Sequence, residues 1–203
     1  MIILGLTGGI ATGKSTVAAM LAEKGAIIID ADQLSREVVA PGSATLIAVN
    51  TLFPSPVLLP DGTLNRTAVR EQIFADPALR KKLEAIVHPA IAERAQQLLE
   101  QARVQKVSVV VYMAPLLFET AADRRVGTDQ NWVVTTTPAI QHARLLQRDN
   151  CTPEQARQIL DAQMPIEQKI ARADLVIDNS GTREETLQQV DTAWEQRIAP
   201  HVR

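Results

Sequence analysis

The sequence predicts an α/β protein built on a five-stranded parallel sheet, and three observations carry that prediction. Short apolar runs at residues 2–6, 26–30, 107–113, 131–137 and 174–178 read as buried strands. Segments with apolar residues at three- and four-residue spacing separate them, the signature of helices packed on a sheet. The interval between the second and third runs is too long for a simple crossover and is itself helical, so it reads as an inserted helical lobe.

Each element has its own justification. "IILGL" at 2–6 precedes a glycine-rich turn, and residues 14–24 then place Val17, Met20 and Leu21 at helical spacing before Gly25 supplies a stop. "AIIID" at 26–30 lacks polar alternation, as expected of a parallel strand covered on both faces. Within the inserted lobe, "NRTAVREQIFA", "PALRKKLEAIV" and "PAIAERAQQLLEQA" are helical, with breakers at Pro41-Gly42 and in "FPSPVLLPDG". His88-Pro89 is expected to end one helix and open the next, because the residue before proline avoids the α region and proline suits a first helical turn. "VSVVVYM", "NWVVTTT" and "DLVID" supply the last three strands, and an arginine-bearing helical segment at 138–173 joins the fourth to the fifth. The implied organisation is a core of residues 1–32, 107–137 and 174–203, a helical lobe at 33–106 and a second helical segment at 138–173.

Composition narrows the function classes. With 46% hydrophobic residues the chain is not disordered, and 21 basic against 23 acidic residues, a net charge of −2, gives no whole-molecule field for nucleic acid or an anionic membrane. Neither partner is expected, so an anionic ligand must be caught locally. The lone Cys151 cannot form an internal disulfide and reads as an ordinary free thiol. The N-terminus lacks a cationic leader and no apolar stretch reaches the roughly 18 residues of a membrane span, so a soluble cytoplasmic protein is expected.

"GGIATGKST" places Gly8, four residues, Gly13, Lys14 and Ser15 between a buried strand and a helix start. This is a phosphate-binding loop: its backbone N–H groups turn inward at a helix N-terminus, Lys14 can reach the β- and γ-phosphates, and the Ser15 hydroxyl can ligate Mg²⁺. No "NKxD" segment follows a strand, which argues against a GTPase switch. A small-molecule kinase suits the rest, since the inserted lobe can hold an acceptor and the segment at 138–173 can close over the phosphates.

Further candidates surround that loop. In "IIIDAD", Asp30 and Asp32 look toward one place if the strand geometry persists to Asp32. Arg144 and Arg148, four apart, share a helical face and could neutralise the transferring phosphoryl group; the alternative is a solvated face, with Arg148 paired to Asp149. Arg66 and Arg70 have the same spacing in the inserted lobe, and are equally well read as a solvated face or as phosphate contacts. His88 is explained by its helix boundary or by ligand contact, and Asn179-Ser180-Gly181 by an ordinary turn or by a place beside the nucleotide base.

Taken together, "LTGGIATGKS", "DAD", the "HP" pair, "APLLFE" at 114–119, "QRD" at 147–149 and "DLVIDNSG" at 174–181 resemble the dephospho-CoA kinase family in order and spacing over nearly the whole chain. The resemblance implies a three-layer phosphate-loop kinase fold and transfer of the ATP γ-phosphoryl to the ribose 3′-hydroxyl of dephospho-CoA. It further implies that 33–106 is the CoA domain and 138–173 the lid. Asp32 is then the catalytic acid of "DAD" and Arg144 the lid arginine. Residues Ala11, Thr12, Gly13, Lys14, Ser15 and Thr16 form the ATP loop, with Arg148, Asn179 and Gly181 nearby. Arg66, Arg70 and His88 are the expected acceptor contacts. One feature departs from phosphate-loop kinases that carry an acid near the end of the third strand: Tyr112 stands there, leaving Asp30 to act on Mg²⁺ through water. Shikimate kinase, which pairs a similar loop with an acid-x-acid stretch, is the rival enzyme, and an ATP-hydrolysing adaptor the rival of another class.

Overall fold

A computed structural model of the chain describes residues 1–202. Strand β1 (Ile2–Gly8) is buried from Ile3 to Gly8 and leads through the glycine loop into helix α1 (Lys14–Glu23). Gly25, at φ +93°, ends that helix, and β2 (Ile27–Asp30) follows. Then come α2 (Ala31–Glu37), α3 (Ala44–Leu52), α4 (Arg66–Ala75) and α5 (Pro77–Val104). The chain re-enters the sheet with β3 (Val109–Met113), passes through α6 (Ala122–Val126) and forms β4 (Gln130–Thr135). Helices α7 (Pro138–Asp149), α8 (Pro153–Asp161) and α9 (Ile166–Ile170) precede β5 (Leu175–Asp178) and α10 (Arg183–Arg197).

The strand order is β2-β3-β1-β4-β5. In parallel register, Ile2 of β1 lies opposite Val109 of β3, Leu4 opposite Gln130 of β4, and Trp132 of β4 opposite Leu175 of β5. The chain therefore fills the sheet on one side of β1 before crossing to the other. The carboxyl end of β1 is the switch point where open α/β sheets bind ligands, and the glycine loop leaves β1 there.

Two compact units divide the chain, one from Met1–Ile29 and from Leu99 onward, the other Asp30–Leu98. The divisions fall within β2 and α5. The first unit has a core of Leu4, Leu6, Met20, Val111, Trp132 and Trp194 among others. Residues 138–173 lie within it. The second has a core of its own, including Leu46, Val49, Phe53, Val57 and Val69.

Two local expectations are corrected. The strand does not persist to Asp32: β2 ends at Asp30, whose side chain caps α2 by accepting the Asp32 N–H at 2.9 Å. Asp at a helix N-cap satisfies an orphan donor, so the chain turns helical at once and Asp32 falls in the first turn. Nor does His88-Pro89 divide two helices; α5 runs through it with Pro89 inside. Leu79 before the proline and Ala95 and Leu99 after it are buried, so packing holds both halves helical despite the missing bond to the preceding turn.

Candidate functional site

The glycine loop is built by conformations few residues adopt. Gly13, the N-cap of α1, sits at φ +93°, and Ala11 at φ +57° is in the left-handed region without being glycine. A Cβ on Gly13 would lie 1.9 Å from the Asn179 side-chain nitrogen, so only glycine fits under that clamp. The N-terminus of α1 faces the loop with the positive end of the helix dipole, and its first turn is closed by the Thr16 N–H donating to Gly13 O at 3.0 Å. Lys14 folds over the loop, its ammonium donating to the carbonyls of Gly8 at 3.1 Å and Gly9 at 2.7 Å. The Thr12 hydroxyl is buried and donates to Gly9 O at 3.0 Å, while Ser15 is exposed in the first helical turn.

Arg144, on α7, belongs to this site. Its Nη2 donates to Asn179 O at 3.0 Å, its Nη1 is buried without a partner, and Nη1 comes within 3.7 Å of where a Cβ on Gly13 would stand. A buried guanidinium nitrogen left unpaired beside a phosphate-type loop suits an anion, which would complete its hydrogen bonding. Arg148, one turn on, is exposed and makes a two-pronged pair with Asp149, Nε to Oδ1 at 2.7 Å and Nη2 to Oδ2 at 2.9 Å. That hydrogen bonding holds the Asp149 carboxyl below its usual range and raises the Arg148 guanidinium further. The structure thus brings Arg144 to the loop and gives Arg148 a neighbour of its own.

Asn179 is a hub, with no side-chain atom left over. Its Nδ2 donates to Thr12 O at 2.8 Å and its Oδ1 accepts from the Thr186 hydroxyl at 2.9 Å. Gly181 serves the next helix: a Cβ there would lie 2.1 Å from Glu185, which closes the capping box of α10 with Thr182. A third group follows β3, where the fully buried Lys169 ammonium pairs with Glu119 at 2.7 Å and donates to Pro115 O at 2.7 Å. The Thr7 hydroxyl reaches the same carbonyl at 3.2 Å. Sequence reasoning passed over Lys169, Gln141 and Gln163; only the full burial or the partner in space distinguishes them from ordinary helix residues.

In the second unit, Asp32 is exposed on α2, and its carbonyl accepts from the Ser35 hydroxyl at 2.8 Å. Arg66, exposed at the start of α4, reaches back to Ser35 O at 3.4 Å, so its guanidinium lies by the helix that carries Asp32. Arg70 is exposed one turn along α4, and His88 is half-buried inside α5. Asp30 has one oxygen in the α2 cap. Among the described residues no group of three or more His, Cys, Asp or Glu is arranged to hold a metal, and no helix is long and apolar enough to cross a membrane.

Comparison with known proteins places the chain in a family. A family model described as dephospho-CoA kinase matches residues 2–185. The dephospho-CoA kinase of Geobacter sulfurreducens is 48% identical over 98% of this chain and 100% of its own length, and that of Geobacter metallireducens is 48% identical over 100% of both. Among solved structures, the dephospho-CoA kinase of Campylobacter jejuni aligns with a TM-score of 0.70 at 25% identity, covering 98% of each chain. A Thermus thermophilus protein, TT1252, aligns with a TM-score of 0.80 at 31% identity over 97% of each. A shikimate kinase of Acinetobacter baumannii, at 15% identity and a TM-score of 0.55 over 100% of this chain and 96% of its own, shares the fold alone. The chain belongs to the dephospho-CoA kinase family.

Proposed function

We propose that the protein transfers the γ-phosphoryl group of ATP to the ribose 3′-hydroxyl of dephospho-CoA, giving coenzyme A and ADP, the last step of coenzyme A synthesis in the cytoplasm. The observation that carries this reading is the phosphate loop with the buried, unbonded Nη1 of Arg144 beside it, in a chain of this family. The 3′-oxygen attacks the γ-phosphorus, the bond to the β–γ bridging oxygen breaks, and the hydroxyl proton passes to Asp32. Backbone N–H groups of residues 11–16 cradle the phosphates while Lys14 and Arg144 neutralise charge that spreads in the transition state. Asn179 and Gly181 border the nucleotide from the end of β5, Asn179 acting through the loop it clamps. Arg148 joins the phosphates by giving up Asp149.

On the acceptor side, Arg66, Arg70 and His88 hold dephospho-CoA, residues 33–106 acting as the acceptor domain and 138–173 as the lid. Ser15 would hold Mg²⁺ directly and Asp30 through water. That composition is usual, because Mg²⁺ keeps several waters and takes only one or two protein groups beside substrate phosphates. When bound, the ion would neutralise the β- and γ-phosphate oxygens.

A coupled assay of ADP release tests the reading. ADP should appear at an appreciable rate only with dephospho-CoA present, and shikimate should not replace it. A rate indifferent to dephospho-CoA would instead identify an ATP-hydrolysing adaptor.

A further inference from the structure

Two glutamines that belong to no motif converge on one residue of the phosphate loop. Gln141, on α7, donates from Nε2 to the Ile10 carbonyl at 2.7 Å, and Gln163, between α8 and α9, accepts the Ile10 N–H on Oε1 at 2.8 Å. Both backbone polar groups of a single loop residue are therefore held by side chains 131 and 153 positions away. Two neighbours bear on why. A Cβ on Gly9 would stand 2.6 Å from Gln141 Nε2 and 3.6 Å from Gln163 Oε1, whereas the φ of Gly9 is not positive. A methyl there would therefore have to displace the tip of the Gln141 side chain from its place on Ile10, while Gln163 stands at ordinary contact distance. On the other side, Ala11 holds its left-handed conformation at φ +57°. A non-glycine residue stays in that region only when its surroundings over-determine it.

We propose that Gln141 and Gln163 are positioning residues for phosphoryl transfer, forming a clasp on Ile10 that sets the apex of the phosphate loop. The clasp also ties α7 to the loop. Gln141 precedes Arg144 by three residues on one helical face, so anchoring Gln141 fixes where the arginine meets the phosphates. Preorganised donors stabilise a transition state because they need no rearrangement as charge develops, and both the loop amides and Arg144 are donors of that kind. The inference rests on the reading that residues 8–15 bind ATP.

Five single variants and one pairing test it. Gln141→Glu keeps the volume but turns the donor into an acceptor facing a carbonyl, and Gln163→Ala removes the acceptor. Gly9→Ala drives a methyl into the clasp. Each should lower kcat/KM for ATP by about three- to tenfold, the usual effect of one hydrogen bond, with KM for dephospho-CoA unchanged. The Ile10 amide hydrogen, followed by NMR exchange, should be slowed in the wild type and exposed in Gln163→Ala. Gly9→Ala combined with Gln141→Ala should lose no more than Gln141→Ala alone, since the truncated side chain leaves nothing for the methyl to strike. Wild-type ATP kinetics in soluble, folded Gln141→Glu and Gln163→Ala would overturn the clasp, as would strictly additive losses in the pair. Lys14→Ala separates the two levels: if it is inactive while the glutamine variants are normal, the clasp fails and the ATP loop stands. If Lys14→Ala is fully active, the ATP reading fails, and Ile10 exchange still reports whether the clasp exists.

Discussion

Asp30 and Asp32 do different work although they are two residues apart. Asp30 spends one carboxylate oxygen on the N-cap of α2, and Asp32 stands exposed in the first turn. Asparagine caps helices about as well as aspartate, so Asp30→Asn should leave α2 intact while removing the charge proposed above to act on Mg²⁺. We expect it to raise the Mg²⁺ concentration needed for half-maximal rate. Asp32→Asn should lower kcat by about 10² to 10⁴, the range for losing a general base, with the lower end favoured by a loose transition state that needs less proton transfer. Steady-state rates across a Mg²⁺ titration check both; the magnesium defect appearing in Asp32→Asn would exchange the roles. Lys14 and Arg144 differ in how they could be found. Lys14 is legible because its motif has a fixed spacing, whereas spacing alone puts Arg144 and Arg148 on one helical face; the structure leaves Arg144 Nη1 unbonded beside Gly13 and binds Arg148 to Asp149.

At the scale of elements, helix α5 carries the clearest test. Its interior proline forgoes a backbone bond and crowds the preceding turn, at a cost of about 3 kcal/mol relative to alanine in a helix interior. Pro89→Ala should therefore stabilise the protein by about 1–3 kcal/mol in urea denaturation if α5 is continuous, and should destabilise it if a break there is required. A loss of activity alongside the gain in stability would mark the pair His88-Pro89 as serving the acceptor. Helices α7 and α8 start where their sequences say: Thr137-Pro138 and Thr152-Pro153 each put a capping hydroxyl before a proline, and both hydroxyls accept the N–H three residues on. α10 begins with the same signal, Thr182 with Glu185. The break expected at Pro89 fails because local preference predicts boundaries only where tertiary packing does not oppose it, and here buried residues on both sides do.

For the molecule as a whole, the sheet holds the site at the mouth of β1. Trp132, at the centre of β4 opposite Leu6 of β1 and Leu175 of β5, is fully buried, with its indole N–H donating to Gln130 at 3.2 Å. Trp132→Ala should destabilise the fold by about 3–5 kcal/mol, measured as a lower urea midpoint with an unchanged slope, because it opens a cavity that rigid strands cannot close. The sequence by itself determined the five strands, the inserted helices, the phosphate loop and the family resemblance. Those rest on patterns local in the chain: apolar runs, helical periodicity, caps and a motif of fixed spacing. Only the tertiary structure decided the strand order that puts β1 at the switch point, the clamp of Asn179 on Thr12, the bond from Arg144 to Asn179 O, and the convergence of Gln141 and Gln163 on Ile10. These join residues up to 167 positions apart, and a glutamine or an asparagine carries no mark of its partner until folding brings the two within 3 Å.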